Sequence, residues 1–151
     1  MSLVVDYVTE EVTRQGHDVT VLDGIERVAW MLEAWCYALR PDMPRPEITD
    51  AIALGSIVEQ HLNREGIRRC GVMVGSRVCP RPERVMDLLT VLWQQRDIIT
   101  PLEFYKGFEE IHPFVDGNGR TGKVLLNWLA GTLLKPVFPP ADLWGRPIRN
   151  P

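Results

Sequence analysis

The chain has 151 residues, 45% hydrophobic and 25% charged, a balance that sustains a folded core and excludes an intrinsically disordered chain. Its 17 Lys and Arg against 20 Asp and Glu leave a formal charge of −3, which excludes a generally basic nucleic-acid binder, so no direct nucleic-acid partner is expected. The length predicts a single domain over 1–151 rather than two independent cores.

The N-terminal Met1-Ser2-Leu3-Val4-Val5-Asp6 reaches an acid too early for a signal-peptide apolar region, and no stretch approaches the ~20 apolar residues of a membrane span. A cytoplasmic protein without a membrane partner is therefore expected. Ser2 is placed to cap a helix carrying Val4, Val8 and Val12 every fourth residue until Gly16 stops it. Asp23 is placed to cap a second helix, with Ile25, Val28, Ala29, Leu32, Cys36 and Leu39 as its inner face. After Pro41, Pro44 and Pro46, helical spacing resumes at Ile48, Ala51, Ile52, Gly55, Val58 and Leu62, predicting a third helix to about Arg64. From Ile67 to Cys79 the pattern changes: two short apolar runs flank Gly75-Ser76, a pair suited to a two-residue hairpin turn. Pro82 then suits the first turn of a helix carrying Val85, Leu88, Leu89, Leu92 and Trp93. Thr100-Pro101-Leu102-Glu103 has capping-box spacing and opens a helix to about Ile111. A last helix from about Asn118 carries Val124, Leu125, Trp128, Leu129 and Leu133 until Pro136, and the proline-containing tail 136–151 is expected to be extended. Cys36, Cys70 and Cys79 are odd in number and lack metal-ligand spacing, so they read as reduced, buried thiols. The fold class expected is all-α with one short hairpin.

Between the last two helices stands His112-Pro113-Phe114-Val115-Asp116-Gly117-Asn118-Gly119-Arg120-Thr121-Gly122-Lys123. Gly117 and Gly119 bracket Asn118 where a helix begins, so backbone N–H groups and the positive helix end can converge on an anion, and phosphate fits best. Arg120 has the wrong charge for a first helical turn unless an anion sits there. Asp116 would repel that anion unless a cation lies between them, which makes it the candidate ligand for Mg²⁺ held jointly with substrate phosphates. His112 accepts a proton near neutral pH and reads as a general base, while Phe114 reads as the apolar anchor of the loop.

This segment closely resembles the signature of the Fic (Fic/Doc) family, His-x-Phe-x-Asp/Asn-Gly-Asn-Gly-Arg-x-x-Arg. The resemblance extends over about 46–135, leaving the N-terminal helices of 2–40 and the tail outside it. It implies a protein nucleotidyltransferase, a transferase that moves AMP from ATP to a Ser, Thr or Tyr hydroxyl of a target protein (AMPylation). On that resemblance His112 is the base and Asp116 the Mg²⁺ ligand, while Gly117, Asn118 and Gly119 cradle phosphates and Arg120 neutralises them. The hairpin residues Val72, Met73, Val74 and Gly75 correspond to the flap that docks a target segment by strand pairing.

The family's final arginine is Lys123 here, a point charge in place of a planar fork. Lys123 is still expected to reach the triphosphate. The substitution keeps two alternatives open: a Doc-like protein kinase toxin, and a catalytically silent Fic-fold binding module. Many family members carry a restraining glutamate in a Ser/Thr-x-x-x-Glu-Gly/Asn motif. The nearest approach, ending at Glu65-Gly66, lacks the hydroxyl residue, so restraint is expected either from an antitoxin-like inhibitor protein, as in toxin–antitoxin pairs, or not at all.

Overall fold

The computed structural model describes residues 2–42 and 44–144. Among these the elements are α1 (Ser2–Arg14), α2 (Leu22–Ala38), α3 (Ile48–Val58), β1 (Met73–Val74), β2 (Arg77–Val78), α4 (Pro82–Gln94), α5 (Pro101–Ile111) and α6 (Asn118–Ala130). The all-α class with one hairpin is what the helical spacing implies. Helix α6 is the axis of the bundle: it packs on α5, α3 and α2, and most of its side chains from Asn118 to Trp128 are buried whether polar or not. Around it Val8, Val12, Trp35, Leu54, Val85, Phe104, Phe108 and Val124 form one continuous core. The hairpin turns at Gly75 (φ +58°) and Ser76, with Met73 opposite Val78 and Val74 opposite Arg77. Among the described residues no helix is long and apolar enough to cross a membrane.

Four local expectations are corrected. The buried face of α2 is Gly24, Arg27, Met31, Ala34, Trp35 and Ala38, whereas Ile25, Ala29 and Cys36 face outward. A second apolar stripe one position over competes with the predicted one, and two contacts decide between them: Arg27 reaches a buried carboxylate, and Gly24 lies so close to the Asp18 carbonyl that any Cβ would collide with it. Asp23 stands inside the first turn and pairs with Arg27, while Val21 occupies the N-cap without a side-chain cap bond. Helix α3 ends at Val58 rather than Arg64, because Glu59 leaves helical geometry (φ −135°, ψ 81°) as its side chain turns inward. Of the cysteines only Cys79 is buried; Cys36 and Cys70 are exposed.

The tail folds back on α1 over its first residues. Asn127 of α6 accepts the Val137 N–H (2.8 Å), Tyr7 donates to the Val137 carbonyl (2.9 Å), and the Phe138 ring stacks on Tyr7 at 4.0 Å. The expectation of an extended tail lies outside the described residues from 145 on.

Phe114 pins the segment between α5 and α6. It is 1% exposed, and its ring covers Gly55 of α3 so closely that a Cβ there would fall 2.2 Å from Cζ. Phe114→Ala is expected to cost about 3–5 kcal/mol in urea unfolding, and Gly55→Ala is expected to destabilise as well, since the ring has no room to retreat. A stability change under about 1 kcal/mol for Phe114→Ala would contradict the anchoring role.

Candidate active site

Thr100 and Glu103 close a reciprocal capping box at the start of α5. At its other end His112 takes the left-handed conformation (φ 53°, ψ 62°), unusual for a residue with a Cβ and costing of order 1–2 kcal/mol. The turn is held because the His112 N–H donates to the Phe108 carbonyl (3.0 Å), and the chain then dives to bury Phe114. The His112 Nδ1 is buried without a hydrogen-bond partner among the described residues, while the half-buried ring lines the cleft beside the hairpin. Burial holds the imidazole below its ordinary pKa; Arg77 and Arg68 push the same way, and the Glu109 carbonyl and Asp116 oppose them. A neutral imidazole at neutral pH is a competent proton acceptor.

Helix α6 starts from Gly117 in the left-handed conformation (φ +74°), which favours glycine, and Val58 and Glu59 stand 3.1 and 3.3 Å from where a Cβ would be. Asn118, predicted among the phosphate-binding residues, commits its side chain elsewhere. It accepts the Phe114 N–H and donates to the Phe114 carbonyl, both at 2.9 Å, so only its backbone N–H remains for an anion. Asn63 supports the loop from α3's side, donating to the Asp116 carbonyl (2.8 Å) and the Gly55 carbonyl (3.0 Å). The first-turn N–H groups of Asn118, Gly119 and Arg120 have no intrahelical acceptors.

Arg120 is 1% exposed and turned inward. Its Nη2 lies 3.3 Å from Glu59, which is fully buried and also takes Nε and Nη2 of Arg27 at 3.0 and 3.3 Å. Arg120, predicted to neutralise phosphate, thus joins a buried Arg27–Glu59–Arg120 group beneath the loop, while its Nε has no hydrogen-bond partner among the described residues. Asp116 stays at the mouth with its side chain half exposed, Oδ1 accepting the Gly117 N–H (2.8 Å) and Oδ2 3.7 Å from Arg120. That environment fits an Mg²⁺ held by one carboxylate together with substrate phosphates. It does not fit an all-protein metal site, since no group of three or more His, Cys, Asp or Glu is arranged for one among the described residues.

Lys123, one turn further along α6, is nearly buried, and its Nζ lies 2.9 Å from Glu11 of α1 and 3.3 Å from the Tyr105 hydroxyl. Gln15, at the end of α1, donates to the other Glu11 oxygen (2.9 Å) and covers Gly119, where a Cβ would come within 2.8 Å of its Nε2. Helix α1, outside the resemblance seen in sequence, thus caps the loop. Glu11 and Gln15 were missed; the available signal was an acid on the Val4, Val8, Val12 stripe, where a buried charge demands a partner.

The hairpin closes the other side. Val74 and Arg77 line a cleft of about 270 Å³ together with Glu109, His112 and Trp144. Met73 and Val74 are exposed, as is Gly75 at the tip, while Val72 is half-buried and accepts the Cys79 N–H (3.1 Å). Sequence reasoning also missed Glu109. Its Oε1 is buried against α6 where Gly122 lacks a Cβ, 2.4 Å from where one would stand, and has no hydrogen-bond partner among the described residues.

Comparison with known proteins gives one family. The Fic/DOC family model matches residues 45–130. "Protein adenylyltransferase Fic" of Drosophila grimshawi is 32% identical over 143 residues, 85% of this chain and 29% of that protein. The protein of the same name from Nematostella vectensis is 32% identical over 111 residues, 61% of this chain and 25% of its own. The chain thus spans under a third of the length of these curated relatives. Among solved structures, a Fic family protein from Desulfovibrio desulfuricans G20 superposes with a TM-score of 0.67 at 19% identity, covering 88% of this chain and 48% of that one. A Fic domain containing signaling protein from Bacteroides thetaiotaomicron gives 0.64 at 16% identity, covering 95% and 68%. These structural likenesses concern the fold.

The burial of Glu109 yields a pH signature. Burial pushes its carboxyl up to about 7, Lys123 pulls it down, Glu11 raises it and Arg77 lowers it again. The native state then holds a proton that the unfolded chain releases near 4.5. The resulting stabilisation is fully present below that value and is lost as pH rises through about 7. In urea unfolding the parent is expected to lose on the order of 1–3 kcal/mol relative to Glu109→Gln between pH 5 and pH 8. A parent-minus-variant difference that is flat with pH would contradict a raised Glu109.

Proposed function

Because this chain belongs to the Fic/DOC family, we propose that it is a protein nucleotidyltransferase that moves AMP from ATP to a Ser, Thr or Tyr hydroxyl of another protein. The observation that carries this reading is the position of His112. Its ring is held below its usual pKa in the cleft beside the hairpin, at the entrance of a loop that ends in the free N–H groups of a buried helix. The names of the relatives support the same chemistry.

In this reading the target segment pairs with the exposed hairpin at Val72–Gly75, which sets its hydroxyl before His112. The imidazole takes the hydroxyl proton as the oxygen bonds to the α-phosphorus. The bond from that phosphorus to the bridging oxygen breaks, pyrophosphate leaves, and a phosphodiester to the target remains. First-turn N–H groups of α6 and its positive end take phosphate charge, while Arg120 acts from below by holding the loop on Glu59. Asp116 would hold Mg²⁺, which when bound supplies further neutralisation of the phosphates.

Lys123 stands where the family signature puts its final arginine, the cation this reading assigns to the terminal phosphate, and Glu11 holds it. A triphosphate therefore competes with a carboxylate of the same chain for one ammonium. In this reading the competition is a restraint within the chain itself, beside the two outcomes expected from the sequence, an antitoxin-like inhibitor or no restraint.

The test is incubation with ATP labelled at the α- or the γ-phosphate in a host lysate. The α-label is expected on protein from the parent and to fall at least about a hundredfold in His112→Ala, with Mg·ATP affinity nearly intact. Asp116→Ala is expected to remove the Mg²⁺ dependence of ATP binding. Transfer of the γ-label alone would replace this reading by phosphorylation, and transfer of neither label would favour a binding module.

A further inference from the structure

Arg68 lies in the chain before the hairpin, is 3% exposed, and takes part in no ion pair among the described residues. A buried guanidinium without a carboxylate is expensive unless its donors are otherwise satisfied. Here each of its three nitrogens donates to a carbonyl oxygen. Nε donates to His112 (2.6 Å), Nη1 to Cys70 (3.0 Å), and Nη2 to both Pro80 (2.6 Å) and Ile111 (3.2 Å). Its own backbone N–H donates to the Pro113 carbonyl (3.0 Å).

These acceptors belong to two elements. Cys70 and Pro80 bracket the hairpin at its two ends, and Ile111 and His112 are the last residue and the cap of α5. Arg77, from β2, adds donations to the Glu109 and Glu110 carbonyls at 3.4 and 3.1 Å. The carbonyls that a helix leaves open at its C-terminus are thus occupied, from Glu109 to Ile111, by two arginines of the hairpin segment, and the strained His112 carbonyl by one of them. A left-handed residue with a Cβ persists where its surroundings over-determine it, and Arg68 grips its carbonyl.

We propose that Arg68 is a positioning residue that joins the hairpin to the His112 turn, so that a target strand docked on the hairpin and the imidazole keep one fixed spacing. This rests on the transfer reaction proposed above for its consequence, though the mechanical coupling itself does not. A misplacement of about 1 Å between reacting groups is enough to slow a reaction roughly a hundredfold, so fixed spacing matters more than added binding. Lysine at this position would keep the charge and lose the fork, since one ammonium does not span four carbonyls.

Arg68→Lys and Arg68→Met of the full chain test this in two independent arms. Amide hydrogen exchange should show Cys79 in the hairpin and His112 at the cap losing protection together, by about tenfold or more in both variants, while the Leu89 amide of α4 is unmoved. The His112 ring titration, followed by NMR, should rise in both variants as the loosened cap relieves burial, and further in Arg68→Met, which also loses the cation. In the activity arm, α-label transfer from ATP by Arg68→Lys should show kcat reduced about tenfold or more with KM for ATP within twofold. Loosening of only one of the two amides would overturn the coupling, and so would parent-level kcat in Arg68→Lys or a KM that rises in step with the loss. If the parent itself transfers no label, the reaction reading fails, and the exchange arm still decides whether hairpin and cap move as one.

Discussion

A fully buried carboxylate that must be shared by two guanidiniums sets the frame of this site. Glu59 has no exposed surface and is gripped by Arg27 from α2 and Arg120 from α6. Satisfying it forces α3 to end at Val58, fixes which face of α2 turns inward, and brings the start of α6 against the end of α3. Removing the carboxylate alone would leave two buried cations facing one another, a far larger penalty than the pair's own net contribution. Position, more than stability, is what this group secures, because Gly117 and the first turn of α6 sit directly on Val58 and Glu59.

From that frame the chemistry follows by exclusion of freedom. Helix α6 is central and carries Asn118, Arg120, Thr121, Lys123 and Asn127 into the interior. Asn118 locks the Phe114 backbone, Arg120 locks Glu59, and Asn127 locks the tail at Val137. Among the described residues, the groups left for a ligand include the backbone donors at the helix start, the half-exposed Asp116 and the half-buried His112 ring. Lys123 is available only in exchange for Glu11.

The elements themselves were legible because their determinants are local. Capping residues, prolines at first turns and a Gly-Ser turn act within a few positions, and the loop from His112 to Lys123 is one contiguous signature. Its roles were less so. Asn118 and Arg120 look like ligand contacts in sequence, and only the fold reveals that the Asn118 side chain is tied to Phe114 and that Arg120 is turned inward onto Glu59. The inward face of α2 was missed since Met31, Ala34, Trp35 and Ala38 offer as good a stripe as the predicted one, and the choice rests on Arg27 meeting Glu59, 32 residues away. Glu11, Arg68 and Glu109 were illegible for the same reason. Their partners lie on other elements, and no spacing rule connects α1 to Lys123 or the hairpin approach to the end of α5.

The competition for Lys123 is the point on which the reading of the site turns, and calorimetric titration of Mg·ATP into the parent and into Glu11→Ala addresses it directly. A charge-assisted contact is worth roughly 1.5–3 kcal/mol, so freeing the ammonium is expected to tighten ATP binding by about tenfold or more. Equal or weaker binding by Glu11→Ala, with the variant folded, would mean that Lys123 does not meet the triphosphate and that its pair with Glu11 serves only the packing of α1 on α6.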